Sequence, residues 1–147
     1  MPRFLADVML ERLARWLRVL DVDVASAHAT TADRELVRRA AAEERVLLTR
    51  DRRLSAEHGT GTPFVVRSAA PLEQLAEVVE RFEIDAPREL FTRCLLCNVP
   101  LESADGAAPA RRCPRCERVY WEGSHTRRMR AALARALPAL VPPRVGP

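Results

Sequence analysis

Two Cys-x2-Cys knuckles constrain this chain more than any other feature: Cys94-Leu95-Leu96-Cys97 and Cys113-Pro114-Arg115-Cys116, with 15 residues between them. Two knuckles at this spacing can bring four thiolates to one tetrahedral zinc ion. The segment 92–121 holds too little apolar bulk to fold unaided, and zinc contributes on the order of 10–16 kcal/mol to small modules of this kind. Four protein thiolates leave no position for water, so the expected role of the ion is structural. Disulfides and an iron–sulfur cluster are the alternatives. The compartment favours metal. No apolar run reaches the roughly 18–20 residues of a membrane span. Met1-Pro2-Arg3-Phe4-Leu5 also meets Asp7 too soon for a signal peptide. The expectation is a cytoplasmic chain whose thiols stay reduced.

The chain has 147 residues, enough for one domain with a small appendage. Its first part alternates strand and helix. Arg3–Ala6 reads as a buried strand. Met9–Leu20 reads as a helix, with Leu10, Leu13, Trp16, Leu17 and Leu20 at spacings of three and four and Glu11, Arg12, Arg15 and Arg18 on the opposite face. Val22–Ala25 reads as a second strand. Thr30–Asp33 carries a helix-start signal for a helix running to Glu44. Val46–Thr49 is a third strand, Asp51–His58 a short helix, Gly59–Pro63 a loop and Phe64–Val66 a fourth strand. Pro71–Phe82 is a helix with proline in its first turn. This alternation predicts an α/β sandwich with a mostly parallel four-stranded sheet. The expected boundary lies near Asp85-Ala86-Pro87. Segment 87–137 then holds the cysteines and a basic helix from Thr126 to about Leu137, with Ser124 as its N-cap. Segment 138–147, with four prolines, is expected to fray.

Three carboxylates stand where such a sheet gathers ligands. Asp7 and Asp51 each follow a strand, and Asp33 opens a helix whose preceding loop would return to the same edge. Three acids near one point repel unless a hard divalent cation offsets them, and oxygen ligands suit Mg²⁺ or Mn²⁺. The plainer reading is that Asp33 and Asp51 cap helices; Asp7 is harder to explain that way.

The stretches Phe4-Leu5-Ala6-Asp7-x-Met9-Leu10, Leu13-Ala14-Arg15-Trp16-Leu17-Arg18 and Leu47-Leu48-Thr49-Arg50-Asp51-Arg52 closely resemble the Mut-seven C-terminal RNase domain. So do the two knuckles followed by Val119-Tyr120-Trp121-x-Gly123-Ser124-His125 and Arg128-Met129. The resemblance covers residues 3 to about 133. It implies a PIN-like ribonuclease fold, a three-layer sandwich followed by a C-terminal zinc ribbon. It implies metal-dependent hydrolysis of RNA, with Asp7, Asp33 and Asp51 as the catalytic acids and the Mg²⁺ or Mn²⁺ ligands. It also implies Cys94, Cys97, Cys113 and Cys116 as the structural zinc ligands. Longer PIN domains supply a further Glu, which has no counterpart here. The chain departs from the family at Glu11, Asp21 and Glu117, where Gly is usual, and at Thr126, where Trp is frequent. A reshaped turn is expected at Asp21, because a glycine there would supply a left-handed backbone.

The secondary candidates each have two readings. Arg50, Arg52 and Arg53 flank Asp51 and suit phosphates, or form a solvated charge run. His125 could face substrate, and Arg128, with Arg127, Arg130 and Arg135, could bind phosphate or be a solvated helix face. Glu35 could be a ligand or a first-turn acid, and Glu11 could approach the site or pair with Arg15. Thr49 could orient an acid or be only a strand residue. Tyr120 and Trp121 could stack bases or pack over the ribbon, while Trp16 fits the core. His28 and His58 fit loops. All 24 basic residues are Arg, against 20 acidic ones. That modest excess permits nucleic-acid binding without requiring it. A second class of function is a non-catalytic adaptor that binds RNA or the ribosome through the ribbon and the basic helix. An antitoxin-like partner would accompany a toxin role.

Overall fold

A computed structural model describes residues 2–57, 63–104 and 110–141. His58, the expected loop as far as Thr62, and the end of the tail from residue 142 lie outside the described residues.

Four short strands form one all-parallel sheet: β1 (Phe4–Ala6), β2 (Val24–Ser26), β3 (Val46–Thr49) and β4 (Phe64–Val65), in the order β2-β1-β3-β4. Phe4 lies opposite both Val24 and Val46. All three residues of β1 are buried, as expected for a central parallel strand covered on both faces. The helices are α1 (Glu11–Val19), α2 (Asp33–Ala42), α3 (Arg52–Glu57) and α4 (Pro71–Phe82).

Two separate apolar clusters prove three layers. Phe4, Ala6 and Leu48 pack with Leu13 and Leu17 of α1 and Leu75 and Val78 of α4. The alternate residues Leu5 and Leu47 pack with Leu36 and Ala40 of α2 and Leu54 of α3. Side chains alternate across a strand, so successive residues of β1 and β3 feed opposite cores.

β3 and α4 have the bounds their patterns predict. The first helix does not. Val8–Leu10 form a 3-10 turn and the α-helix begins at Glu11. The Asp7 carboxylate accepts from the Val8 N–H at 2.7 Å and so starts the tighter turn. The second strand starts at Val24, later than expected. Leu20, at the end of α1, is followed by Asp21 with φ 62°. That is the left-handed turn at which the sequence lacks a glycine.

Several residues beyond position 87 contribute to this core. Leu90, Phe91, Leu133 and Leu140 belong to the same cluster as Phe4 and Leu13. A second sheet is antiparallel, in the order β5 (Glu102–Ser103), β6 (Ala110–Arg112), β7 (Val119–Trp121). The last helix, α5 (Ser124–Ala136), begins earlier than expected and is capped at Gly123, not Ser124. There the Thr126 hydroxyl accepts from the Gly123 N–H at 2.9 Å. Met129 and Leu137 pack against the core beside buried Leu133. The expected fraying does not begin at Pro138, since Pro138–Leu140 form a 3-10 turn that buries Leu140.

Candidate active site and cysteine cluster

β1 is the branching point of the sheet. The chain leaves β1 for β2 on one side, then returns past it to β3 on the other. In open parallel sheets the crevice at the carboxyl ends beside such a reversal is where ligands bind. Asp7 follows β1 there, and the Asp7 N–H donates to the Leu48 carbonyl at 3.0 Å. Thr49 closes β3 and is fully buried. Its hydroxyl donates to Asp7 Oδ2 at 3.2 Å and accepts the Asp51 N–H at 3.0 Å. One side chain therefore ties two of the three candidate acids together. The Asp51 Oδ1 accepts the Arg53 N–H at 2.9 Å, as a helix-capping acid does.

Asp33 is placed differently. It is the exposed first residue of α2, with Ala32 at the N-cap and no capping bond from a side chain. Among the described residues, the only group of three or more potential ligands whose atoms all lie within 4.8 Å of one another is the cysteine cluster. Asp7, Asp33 and Asp51 do not converge to that distance. Glu35 is exposed in the first turn of α2. Arg50 reaches the Arg67 carbonyl at 3.4 Å, and Arg52 and Arg53 are exposed. Val8 and Met9, just after Asp7, are exposed apolar side chains, with Met9 at 77%.

Beside this edge lies a group that periodicity misassigns. Arg18 belongs by spacing to the polar face of α1, yet its side chain is 1% exposed. Its Nε and Nη2 donate to the Val24 carbonyl at 3.1 and 2.8 Å. Nη2 also reaches Ser26 Oγ at 2.6 Å, and Nη1 reaches Glu11 Oε1 at 3.3 Å and the Leu95 carbonyl at 2.6 Å. Glu11 in turn accepts from Ser26 Oγ at 2.6 Å and lies 4.0 Å from Arg15. Burial lowers the Arg18 pKa, and the Glu11 carboxylate opposes that shift. The one sequence signal for this burial is small Ala14, a turn earlier on the same face and also buried.

The first knuckle docks on the free edge of β2. Asn98 accepts the Val24 N–H at 2.9 Å and donates to Asp23 at 2.6 Å. Arg18 takes the Val24 carbonyl, so both outward backbone groups of that edge residue are satisfied. Arg93 adds an ion pair with Asp21 at 3.3 Å.

The four sulfurs meet as the spacing predicts. Cys94 Sγ lies 3.8 Å from Cys116 Sγ. Bonds of about 2.3 Å to a tetrahedral ion would separate two sulfurs by about that much. None of the four is in a disulfide. Burial raises the Cys94 pKa, but hydrogen bonds from the Tyr120 hydroxyl and from the Cys97 and Leu96 N–H groups outweigh it and hold the thiol at about 6. Burial and the neighbouring thiols push Cys97 up to about 12. Close thiols split in this way because their negative charges oppose one another, a conflict that a divalent cation removes. The cluster can therefore hold zinc. Tyr120 lies beneath it, its oxygen 3.3 Å from Cys94 Sγ and accepting the Leu95 N–H at 3.1 Å.

A family model described as the Mut7-C RNAse domain matches residues 2–133 of the chain. The comparisons with curated proteins and with solved structures each found no match.

Proposed function

The chain belongs to the Mut7-C RNAse domain family, and on that premise we propose that it is a divalent-metal-dependent ribonuclease with a PIN-like catalytic edge. The observation that carries the reading is the Thr49 hydroxyl, buried between Asp7 and Asp51 at the reversal of the sheet. A buried hydroxyl bonded to one acid and to the backbone of another suits a pair of acids that must keep a fixed separation. The donor set is oxygen only, which matches Mg²⁺ or Mn²⁺.

In this reading Asp7 and Asp51 hold the ion, and Asp33 approaches from the start of α2. When bound, the ion supplies Lewis-acid polarisation of a phosphoryl oxygen and offsets the negative charge of the site. The chain's own residues do the rest. Thr49 fixes the Asp7 carboxylate, and the exposed Arg50, Arg52 and Arg53 take phosphates beside the scissile bond. The cysteine cluster holds zinc as a structural ion, and the ribbon and α5, with His125 and Arg128 exposed on it, add RNA contacts.

The test is cleavage of end-labelled structured and single-stranded RNAs by zinc-loaded protein with Mg²⁺, with Mn²⁺ and with EDTA, beside Asp51→Asn. Metal-dependent cleavage that the substitution abolishes is the expected result. Equal cutting by both proteins would be contamination and would sink the reading. RNA binding without cleavage would leave an adaptor.

A further inference from the structure

The ribbon has two unlike faces. Arg111 and Tyr120 are register partners and point inward, Arg111 pairing with Glu89 and the Phe91 carbonyl and Tyr120 with Cys94. The other face carries Ala110 opposite Trp121 and Arg112 opposite Val119. Arg112 and Trp121 are therefore diagonal neighbours, within reach of each other's side chains. Trp121 is 63% exposed, an uncommon position for the costliest side chain to leave in water.

Its setting holds the ring in place. A Cβ at position 123 would lie 3.2 Å from the indole Nε1 and 3.4 Å from Cδ1, so Gly123 leaves room for the ring to lie against the backbone. The Thr126 hydroxyl donates to the Gly123 carbonyl at 2.9 Å and locks the turn below it. One side of the indole is supported and much of the ring is open.

The surroundings are basic. Segment 110–136 carries eight arginines and two glutamates, a larger excess than the whole chain's +4. Glu122, next to Trp121, is engaged by Arg130 at 3.8 Å. Arg111 and Arg130 are the segment's arginines with ion-pair partners among the described residues, and its other six arginines, Arg112 among them, are exposed. Glu102, opposite Arg112 on β5, bounds the patch on its far side.

A held, open aromatic ring among unpaired arginines fits a base with its flanking phosphates. We infer that the outward face of β5–β7 is a platform for single-stranded RNA, on which Trp121 stacks a base and Arg112 takes an adjacent phosphate. The choice of RNA rests on the ribonuclease reading. A duplex keeps its bases stacked inside and cannot use the ring.

The test uses full-length, zinc-loaded protein carrying Asp51→Asn, so that RNA is not cut, and Trp16→Phe, so that Trp121 is the only fluorophore of its kind. A single-stranded oligoribonucleotide is expected to quench the fluorescence, and a matched duplex is not. Trp121→Ala should weaken single-strand binding about tenfold, while Trp121→Phe keeps most of it. Arg112→Ala should lower the slope of log affinity against log salt by about 0.7. If Trp121→Ala loses zinc, Trp121→Leu makes the same test with an apolar, non-aromatic side chain. Binding without quenching, equal binding by wild type and variant, or no binding at all would each overturn the platform. Cleavage by protein with Asp51 intact is read separately. Cutting without platform binding overturns the platform alone, and platform binding without cutting overturns the nuclease alone.

Discussion

Arg18, buried within α1, donates from Nη1 to the carbonyl of Leu95, 2.6 Å away and 77 residues on in the chain. Leu95 lies between the two cysteines of the first knuckle. The same guanidinium holds Ser26 and Glu11, beside the end of β1. One side chain thus joins the cysteine cluster to the edge that carries Asp7.

Removing it strands several partners at once. Arg18→Met leaves the Leu95 and Val24 carbonyls without their donor and Glu11 without its closest cation. The expected loss is about 3–5 kcal/mol of unfolding free energy, measured by urea denaturation of zinc-loaded protein. Arg18→Lys should rescue little, because a single ammonium cannot span the carbonyls that the planar fork reaches. A loss under 1 kcal/mol would show that the fork is not a clamp.

Thr49→Val keeps the shape and removes the hydroxyl. Asp7 Oδ2 and the Asp51 N–H each lose a partner. Cleavage should fall by about tenfold or more, since small misplacements of positioned groups cost that much. The melting temperature should drop by only a few degrees. Unchanged kcat would separate Thr49 from the chemistry.

Tyr120→Phe tests the hydrogen bond to Cys94. The Cys94 pKa is lowered in the folded protein, to about 6. Its thiolate therefore contributes stability that is present above the unfolded value, near 8.5, and is lost as pH falls through about 6. Without the hydroxyl the Cys94 pKa rises and protons compete with metal sooner. Zinc release, followed with a chromogenic chelator during acid titration, should move to higher pH. An unmoved midpoint would mean that the backbone donors suffice.

Glu117 has φ 64° just after the second knuckle. A side chain in the left-handed region costs roughly 1–2 kcal/mol, and glycine's extra freedom when unfolded returns about half of that. Glu117→Gly should raise the urea stability of the zinc-loaded protein by about 0.5–1 kcal/mol. Asp21→Gly should gain less, because it also breaks the pair with Arg93. A destabilised Glu117→Gly would refute the strain argument.

Much of this was legible one residue at a time. Val46–Thr49 and Pro71–Phe82 have the bounds their patterns predict, since a short apolar run and a proline-started amphipathic stretch each have one stable way to bury their apolar side. The missing glycine at position 21 marked a left-handed residue correctly, because backbone sterics are local, and Glu117, where the family also usually has Gly, turned out to be left-handed too. The start of the first helix was misread because Asp7 caps a 3-10 turn, a competition between side chain and backbone that helical periodicity does not register.

The sequence alone determined the alternation of strand and helix, the meeting of four sulfurs and the family, because these rest on short spacings and residue type. Only the tertiary structure decided that Arg18 is buried, that Thr49 links Asp7 to Asp51, and that Tyr120 turns inward as Trp121 turns out. A side chain's partners depend on what distant segments bring to it. The Val24 edge became a dock for Asn98 only when a knuckle more than 70 residues away folded against it.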